Sequence, residues 1–97
     1  MKSFDKKKFD SLQKSGKVCI LQFWSAWCGD CFDVEHLEKF QKHNRGVCVF
    51  RVNLEDNEEF AEKYQVKITP SYLFFKNFKL LETLVGVQTQ SSLERSL

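Results

Sequence analysis

Apolar residues along this chain fall into two patterns that alternate, near-continuous runs and sparse stripes spaced three residues apart. "VCILQFW" (18–24) and "VCVFRVNL" (47–54) are runs rich in β-branched and aromatic residues, the pattern of strands buried on both faces. Between them "CFDVEHLEKFQKHN" carries Val34, Leu37 and Phe40 at three-residue spacing, which predicts an amphipathic helix following the second cysteine and closed by Arg45-Gly46. Strand, helix and strand with short connections make a βαβ unit, whose crossover is right-handed by rule. Upstream, Asp5 is placed to cap a helix over "KKKFDSLQK", with Phe9 and Leu12 on one face and Gly16 as its stop. Downstream, Asp56 with Glu59 has the form of a capping box before a helix facing inward through Phe60, Ala61 and Tyr64. "SYLFF" (71–75) and "LLETLVG" (80–86) flank the turn-like "KNFK" and predict an antiparallel hairpin. Thr89 then caps a last short helix with Leu93 and Leu97. The order α, β, α, β, α, β, β, α around one sheet predicts an α/β fold, a three-layer α/β/α sandwich.

Length changes this picture little: 97 residues are enough for one core, so residues 1–97 are expected to form a single domain. A formal net charge of +2 offers no electrostatic case for nucleic acid. Lys2, Lys6, Lys7 and Lys8 read as a solvated helix face. The N-terminal stretch is charged throughout and lacks the apolar segment of a signal peptide, and no apolar run approaches the roughly 20 residues of a membrane span. The expected location is cytoplasmic, away from membranes. In a reducing compartment a Cys-x-x-Cys pair is more often catalytic or metal-binding than structural.

That pair is Cys28 and Cys31 in "FWSAWCGDC" (23–31), where a buried strand gives way to a helix. Residues three apart in a helix lie within the Cα separation a disulfide tolerates, roughly 4.4–6.8 Å. The positive end of a helix dipole favours a thiolate over a thiol, which makes Cys28 the candidate nucleophile. Cys31, one turn in, is the candidate resolving thiol. Four cysteines and two histidines could also supply zinc ligands, but no second Cys-x-x-Cys or Cys-x-x-His completes the usual spacing. His36 and His43 read as helix-surface residues, and Cys19 and Cys48 as small hydrophobes inside strands. The single proline, Pro70 in "KITPSY", opens a strand; it is either punctuation or a cis bond shaping a loop beside the cysteines.

With "FWSAWCGDC" at a strand–helix junction and "KITPSY" opening the hairpin, the chain resembles the thioredoxin family over nearly its full length. The family's W-C-G-P-C motif is matched by Trp27, Cys28, Gly29, Asp30 and Cys31, its cis-proline by Pro70 between Thr69 and Ser71, and its late glycine by Gly86. The resemblance implies a thioredoxin fold with a central mixed sheet and a thiol–disulfide oxidoreductase that reduces protein disulfides. Cys28 would attack the substrate disulfide and Cys31 would resolve the mixed disulfide, leaving a redox-active Cys28–Cys31 bridge. Trp27, Thr69 and Pro70 would dock the substrate chain, Thr69 through its backbone. No bound cofactor is implied, and a separate reductase, usually a flavoenzyme drawing on NADPH, would restore the dithiol. The family usually works as a monomer. A second reading is a thioredoxin-fold binding module with weak or absent redox activity.

Three departures from the family pattern bear on the chemistry. Asp30 stands in place of the motif's proline; a carboxylate about 7 Å from Cys28 opposes the thiolate by about 0.6–2.4 kcal/mol for effective dielectrics of 80 to 20. A helix terminus contributes a comparable term of about 0.3–1 kcal/mol in the other direction. Gln22 occupies the position of a buried aspartate credited with handling the resolving cysteine's proton, and an amide is no base near neutral pH. The Cys31 proton then leaves through water or Asp30, or resolution is slow. Finally, a helix proline is replaced around His36, and Phe78 replaces a turn glycine.

Overall fold

The computed structural model describes residues 2–97. Five strands and four α-helices follow one another among them: β1 (Lys2–Ser3), α1 (Lys6–Lys14), β2 (Cys19–Trp24), α2 (Glu35–His43), β3 (Cys48–Asn53), α3 (Glu58–Lys63), β4 (Ser71–Lys76), β5 (Lys79–Val85) and α4 (Gln90–Arg95). The strands form one mixed sheet in the order β1-β3-β2-β4-β5. β2 lies at its centre, parallel to β3 and antiparallel to β4, and β5 returns antiparallel as an edge.

Side chains alternate across this sheet with a period of two, so each central strand feeds two cores. On one face Cys19, Leu21, Phe23, Phe50, Val52, Leu73 and Phe75 pack under Phe9 of α1 and Ala61 of α3. On the other, Ile20, Val49, Tyr72 and Phe74 pack under Leu37 and Phe40 of α2 and Leu93 of α4. Helices therefore cover both faces, as the three-layer reading requires, and each fully buried Phe or Leu contributes about 1.5–3 kcal/mol.

Local chemistry explains the element ends. Asp5 caps α1 by accepting the backbone N–H groups of Lys7 and Lys8, and Gly16 follows the helix at φ 80°, a left-handed conformation that glycine adopts without a Cβ penalty. Thr89 and Ser92 form a reciprocal capping box on α4. The hairpin turn is made by Asn77 and Phe78, both with positive φ, as in a type I′ turn. Buried Gln13 holds it there: its side-chain oxygen accepts the Phe78 N–H at 2.8 Å.

Several expectations are corrected. Lys2 lies on a short strand beside β3 rather than on a helix face. The Asp56–Glu59 box does not form; Asn57 is the first cap of α3 and makes no side-chain capping bond. Asn44 rather than Arg45-Gly46 ends α2. Leu97 lies beyond α4 and is exposed.

Candidate active site

β2 ends at Trp24, and the chain turns into a single 3₁₀ turn, Gly29–Phe32, with Cys28 at its N-terminal boundary. The Ser25 carbonyl accepts the Cys28 N–H, and the Cys28 carbonyl accepts the Cys31 N–H, both at 3.2 Å. The helix expected to run on from Cys28 is interrupted: Asp33 is extended and α2 starts only at Glu35. Asp33 supplies the reason, since its carboxylate takes the Glu35 N–H (3.3 Å) and so competes with the helical bond. A dipole's influence fades within a turn, so α2 gives Cys28 little of the support that a continuous helix would.

Cys28 and Cys31 are joined as a disulfide with Cα atoms 5.4 Å apart. Cys28 is half-buried while Cys31 is fully buried, so a partner can reach only the first. The Thr69–Pro70 bond is cis. Thr69 is tied to the cysteine loop by a hydrogen bond between its hydroxyl and that of Ser25 (3.1 Å). Pro70 accepts the Gly86 N–H at 2.8 Å, which brings the loop after β5 to the same place. Trp27 projects 88% exposed, and Phe32, Ile68 and Val87 on the three joined loops are exposed as well. Gly29 has open space around it, since a Cβ there would meet nothing within 4 Å. Asp30 is exposed and lines a groove with Asp33, Glu35, His36, Lys39 and Tyr72.

Gln22 is fully buried beneath this arrangement. Its register partners are Arg51 on β3 and Tyr72 on β4, so the three form one polar row across the central strands. Arg51 donates its Nε–H to Gln22 Oε1 (2.8 Å) and a terminal N–H to the Cys31 carbonyl (2.6 Å). Gln22 donates from Nε2 to the Tyr72 hydroxyl (3.1 Å), and Tyr72 lies 2.7 Å from His36 Nε2. Because the Tyr72 oxygen already accepts from Gln22, its proton is free to go to an unprotonated His36 Nε2. Burial lowers the His36 pKa and favours this neutral form, with Asp33 opposing. The Tyr72 pKa is raised chiefly by burial, against the Gln22 bond and the Arg51 charge. The Arg51 guanidinium also stacks 5.1 Å from the Trp24 ring.

His36 is thus part of the site's foundation rather than a plain surface residue, which corrects the sequence expectation. Arg51 and Tyr72 belong to no motif in the sequence. A signal existed, for Gln22 and Arg51 interrupt otherwise apolar strands at inward positions. His43 is exposed, as expected, with its Nδ1 2.8 Å from the Lys39 carbonyl. Cys19 and Cys48 are free thiols paired in register across β2 and β3. Burial raises the Cys19 pKa. Among the described residues no three His, Cys, Asp or Glu side chains converge as metal ligands.

Comparison with known proteins decides the family. The thioredoxin family model matches residues 1–97. The chain belongs to the thioredoxin family. A thioredoxin H-type from Fagopyrum esculentum is 29% identical over 89 residues, covering 91% of this chain and 77% of that protein. A thioredoxin from Coprinus comatus is 29% identical over 96 residues, covering 93% and 91%. The solved structure of Fasciola hepatica thioredoxin superimposes with a TM-score of 0.80, with 26% identity over 93% of this chain and 88% of that one. The bridged Cys28–Cys31 pair at the family's motif position makes this thioredoxin-family protein a thiol–disulfide oxidoreductase. Among the described residues no helix is long and apolar enough to cross a membrane.

Proposed function

We propose that this protein runs in the reducing direction, as a protein-disulfide reductase of the cytoplasm that acts as a monomer and serves electron transfer and redox homeostasis. The observation that carries this reading is the unequal exposure of the two sulfurs: Cys28 is within reach and Cys31 is at 0% exposure behind it. The Cys28 thiolate attacks one sulfur of a substrate disulfide; that S–S bond breaks, a mixed disulfide forms, and the first substrate thiolate leaves and takes up a proton. Cys31 then attacks the Cys28 sulfur, its proton passing by way of water to the second departing thiolate. Two electrons have moved from the pair to the substrate, with one proton supplied by Cys31 and one by solvent, and the Cys28–Cys31 bridge remains.

Substrate docking follows the exposed surface. Trp27 offers a large aromatic face, and the backbone at Thr69, held beside the cysteine loop by Ser25 and Pro70, pairs with an extended segment of the substrate as an added strand. The chain's own residues do the exchange chemistry without a bound cofactor, and a separate flavoprotein reductase returns the bridge to the dithiol.

The test is reduction of insulin with dithiothreitol as electron donor. The wild-type chain should exceed dithiothreitol alone, and Cys28→Ser, folded as judged by circular dichroism, should lose that excess entirely. Equal rates for the two proteins would overturn the reading.

A further inference from the structure

The residues beneath the bridge pose a question that exchange chemistry leaves open, namely which charge favours the thiolate. α2 is displaced by the break at Asp33, and Asp30 carries the wrong sign. Arg51 carries the right one, and it is fixed rather than mobile. Two hydrogen bonds hold it, at 2.8 Å to Gln22 and 2.6 Å to the carbonyl of Cys31 itself. Trp24 covers it from one side at 5.1 Å. Asp56 lines the same cleft, yet the ion pairs formed among the described residues are Lys6–Asp10 and Lys39–Glu35, and neither involves Arg51. Its charge is therefore not cancelled by a contacting carboxylate.

The direction of the hydrogen bonds shows how Arg51 is aimed. A guanidinium can only donate, so Gln22 must turn its oxygen to Arg51 and its amide nitrogen to Tyr72. Tyr72 then directs its O–H to His36 when Nε2 is the unprotonated nitrogen. Donation runs one way, from the cation at the Cys31 backbone to the imidazole on α2, and an amide in the wrong orientation would leave two buried groups unpaired.

The geometry points to Arg51 as a positioning residue for this redox site: aimed by Gln22 and Tyr72, it supplies the positive charge that stabilises the reduced Cys28–Cys31 pair where a buried base is lacking. The inference rests on the exchange role proposed above. Arg51 itself neither gains nor loses a proton or an electron. It acts on the balance between bridge and dithiol, favouring the dithiol because only that form carries negative charge on sulfur.

Two readouts on the purified protein test this without any protein substrate. One is the rate of Cys28 alkylation by iodoacetamide against pH, and the other is the thiol–disulfide equilibrium with glutathione. In Arg51→Met the alkylation profile should move to higher pH, and the equilibrium should shift roughly threefold to tenfold toward the bridge. Arg51→Lys, which keeps the charge and loses the fork, should stay closer to wild type than Arg51→Met does. If Arg51→Met does not fold, Arg51→Gln removes the charge while keeping a donor and should shift the same way. An unchanged profile and equilibrium in a folded neutral variant would overturn the inference. Because these measurements need only the two cysteines and glutathione, they hold even if insulin reduction fails, so the two readings fall separately.

Discussion

The two faces of the sheet are built from the same strands and differ sharply in what they hold. Under α1 and α3 the face is apolar, with a cluster of phenylalanine rings among Leu21, Val52 and Leu73. Phe9 meets Phe75 edge-on at 5.3 Å and Phe50 at 6.5 Å, and Phe60 stacks on Phe23 at 6.2 Å. Under α2 and α4 the apolar packing of Ile20, Val49 and Phe74 gives way, toward the cysteine end, to Gln22, Arg51, Tyr72 and His36. Neighbours in sequence serve opposite faces: Leu21 and Phe23 flank Gln22, and Phe50 and Val52 flank Arg51. One face thus supplies stability with little chemistry, and the other gives up apolar burial to place charge and hydrogen bonds at the Cys31 backbone. A polar row of this kind, with Gln22 and Tyr72 buried and Arg51 and His36 half-buried, is tolerable because every member is paired, and among the described residues no buried side-chain polar atom is left without a partner.

The largest effect should come from the aromatic face. Phe50 is fully buried, and Phe50→Ala should lower stability to chemical denaturation by about 3–5 kcal/mol through lost burial and a cavity. That is a large part of the roughly 5–15 kcal/mol that holds a domain together. The glutathione equilibrium of the folded fraction should stay near wild type. A shift as large as that of Arg51→Met would break the division between the faces.

Much of this division was legible in the sequence. The runs at 18–24 and 47–54 announce central strands, Val34, Leu37 and Phe40 announce α2, and Asp5, Gly16 and Thr89 mark element ends through their own capping chemistry. The cysteines stood out by spacing, and Pro70 by being alone. What the sequence hid depends on contacts between distant segments. That Gln22, Arg51 and Tyr72 share one row is a fact of strand register, and residues 22, 51 and 72 carry no local sign of it. His36 has the helical spacing of a surface residue, and only the approach of β4 gives it a hydrogen-bond partner in Tyr72. The break before α2 was missed for a local reason: Asp33 competes for a backbone N–H, whereas periodicity reads straight through it.

A smaller effect sharpens the polar side of the comparison. His36 faces Tyr72 from β4 and shares its groove with Asp30, Asp33, Glu35 and Lys39, while the segment after β5 and the start of α4 contribute only the uncharged Val87, Gln88, Thr89 and Gln90. Burial lowers its pKa in the folded chain, with Asp33 partly offsetting this. The sign follows: the unfolded histidine, with a pKa of about 6.5, binds protons more readily, so this contribution is present above that value and is lost as pH falls below it. His36→Leu should cost about 1 kcal/mol at pH 8 through the lost bond to Tyr72. It should also lose less stability than wild type on going from about pH 7 to pH 5.5, where histidine titrates. Thermal melts of both proteins across that range measure it. Parallel slopes would show that the Tyr72 bond tolerates a charged imidazole.

The smallest effect lies outside both faces. Asp30 is exposed, so its opposition to the Cys28 thiolate is screened by water and salt and belongs at the low end of the range, about 0.6 kcal/mol. Asp30→Asn removes the charge and little else. It should move the glutathione equilibrium about threefold toward the dithiol, or on the order of 10 mV, opposite in sign to Arg51→Met. Salt separates the two residues further. A carboxylate acting through solvent should lose much of its effect at 1 M salt, where the screening length is about 3 Å, whereas a guanidinium bonded to the Cys31 carbonyl should keep most of its own. If the charges act independently, the chain carrying both substitutions should lie between the single variants and near their sum. A strongly non-additive result would mean that Arg51 and Asp30 act on each other, and that the exposed rim and the buried row form one electrostatic unit.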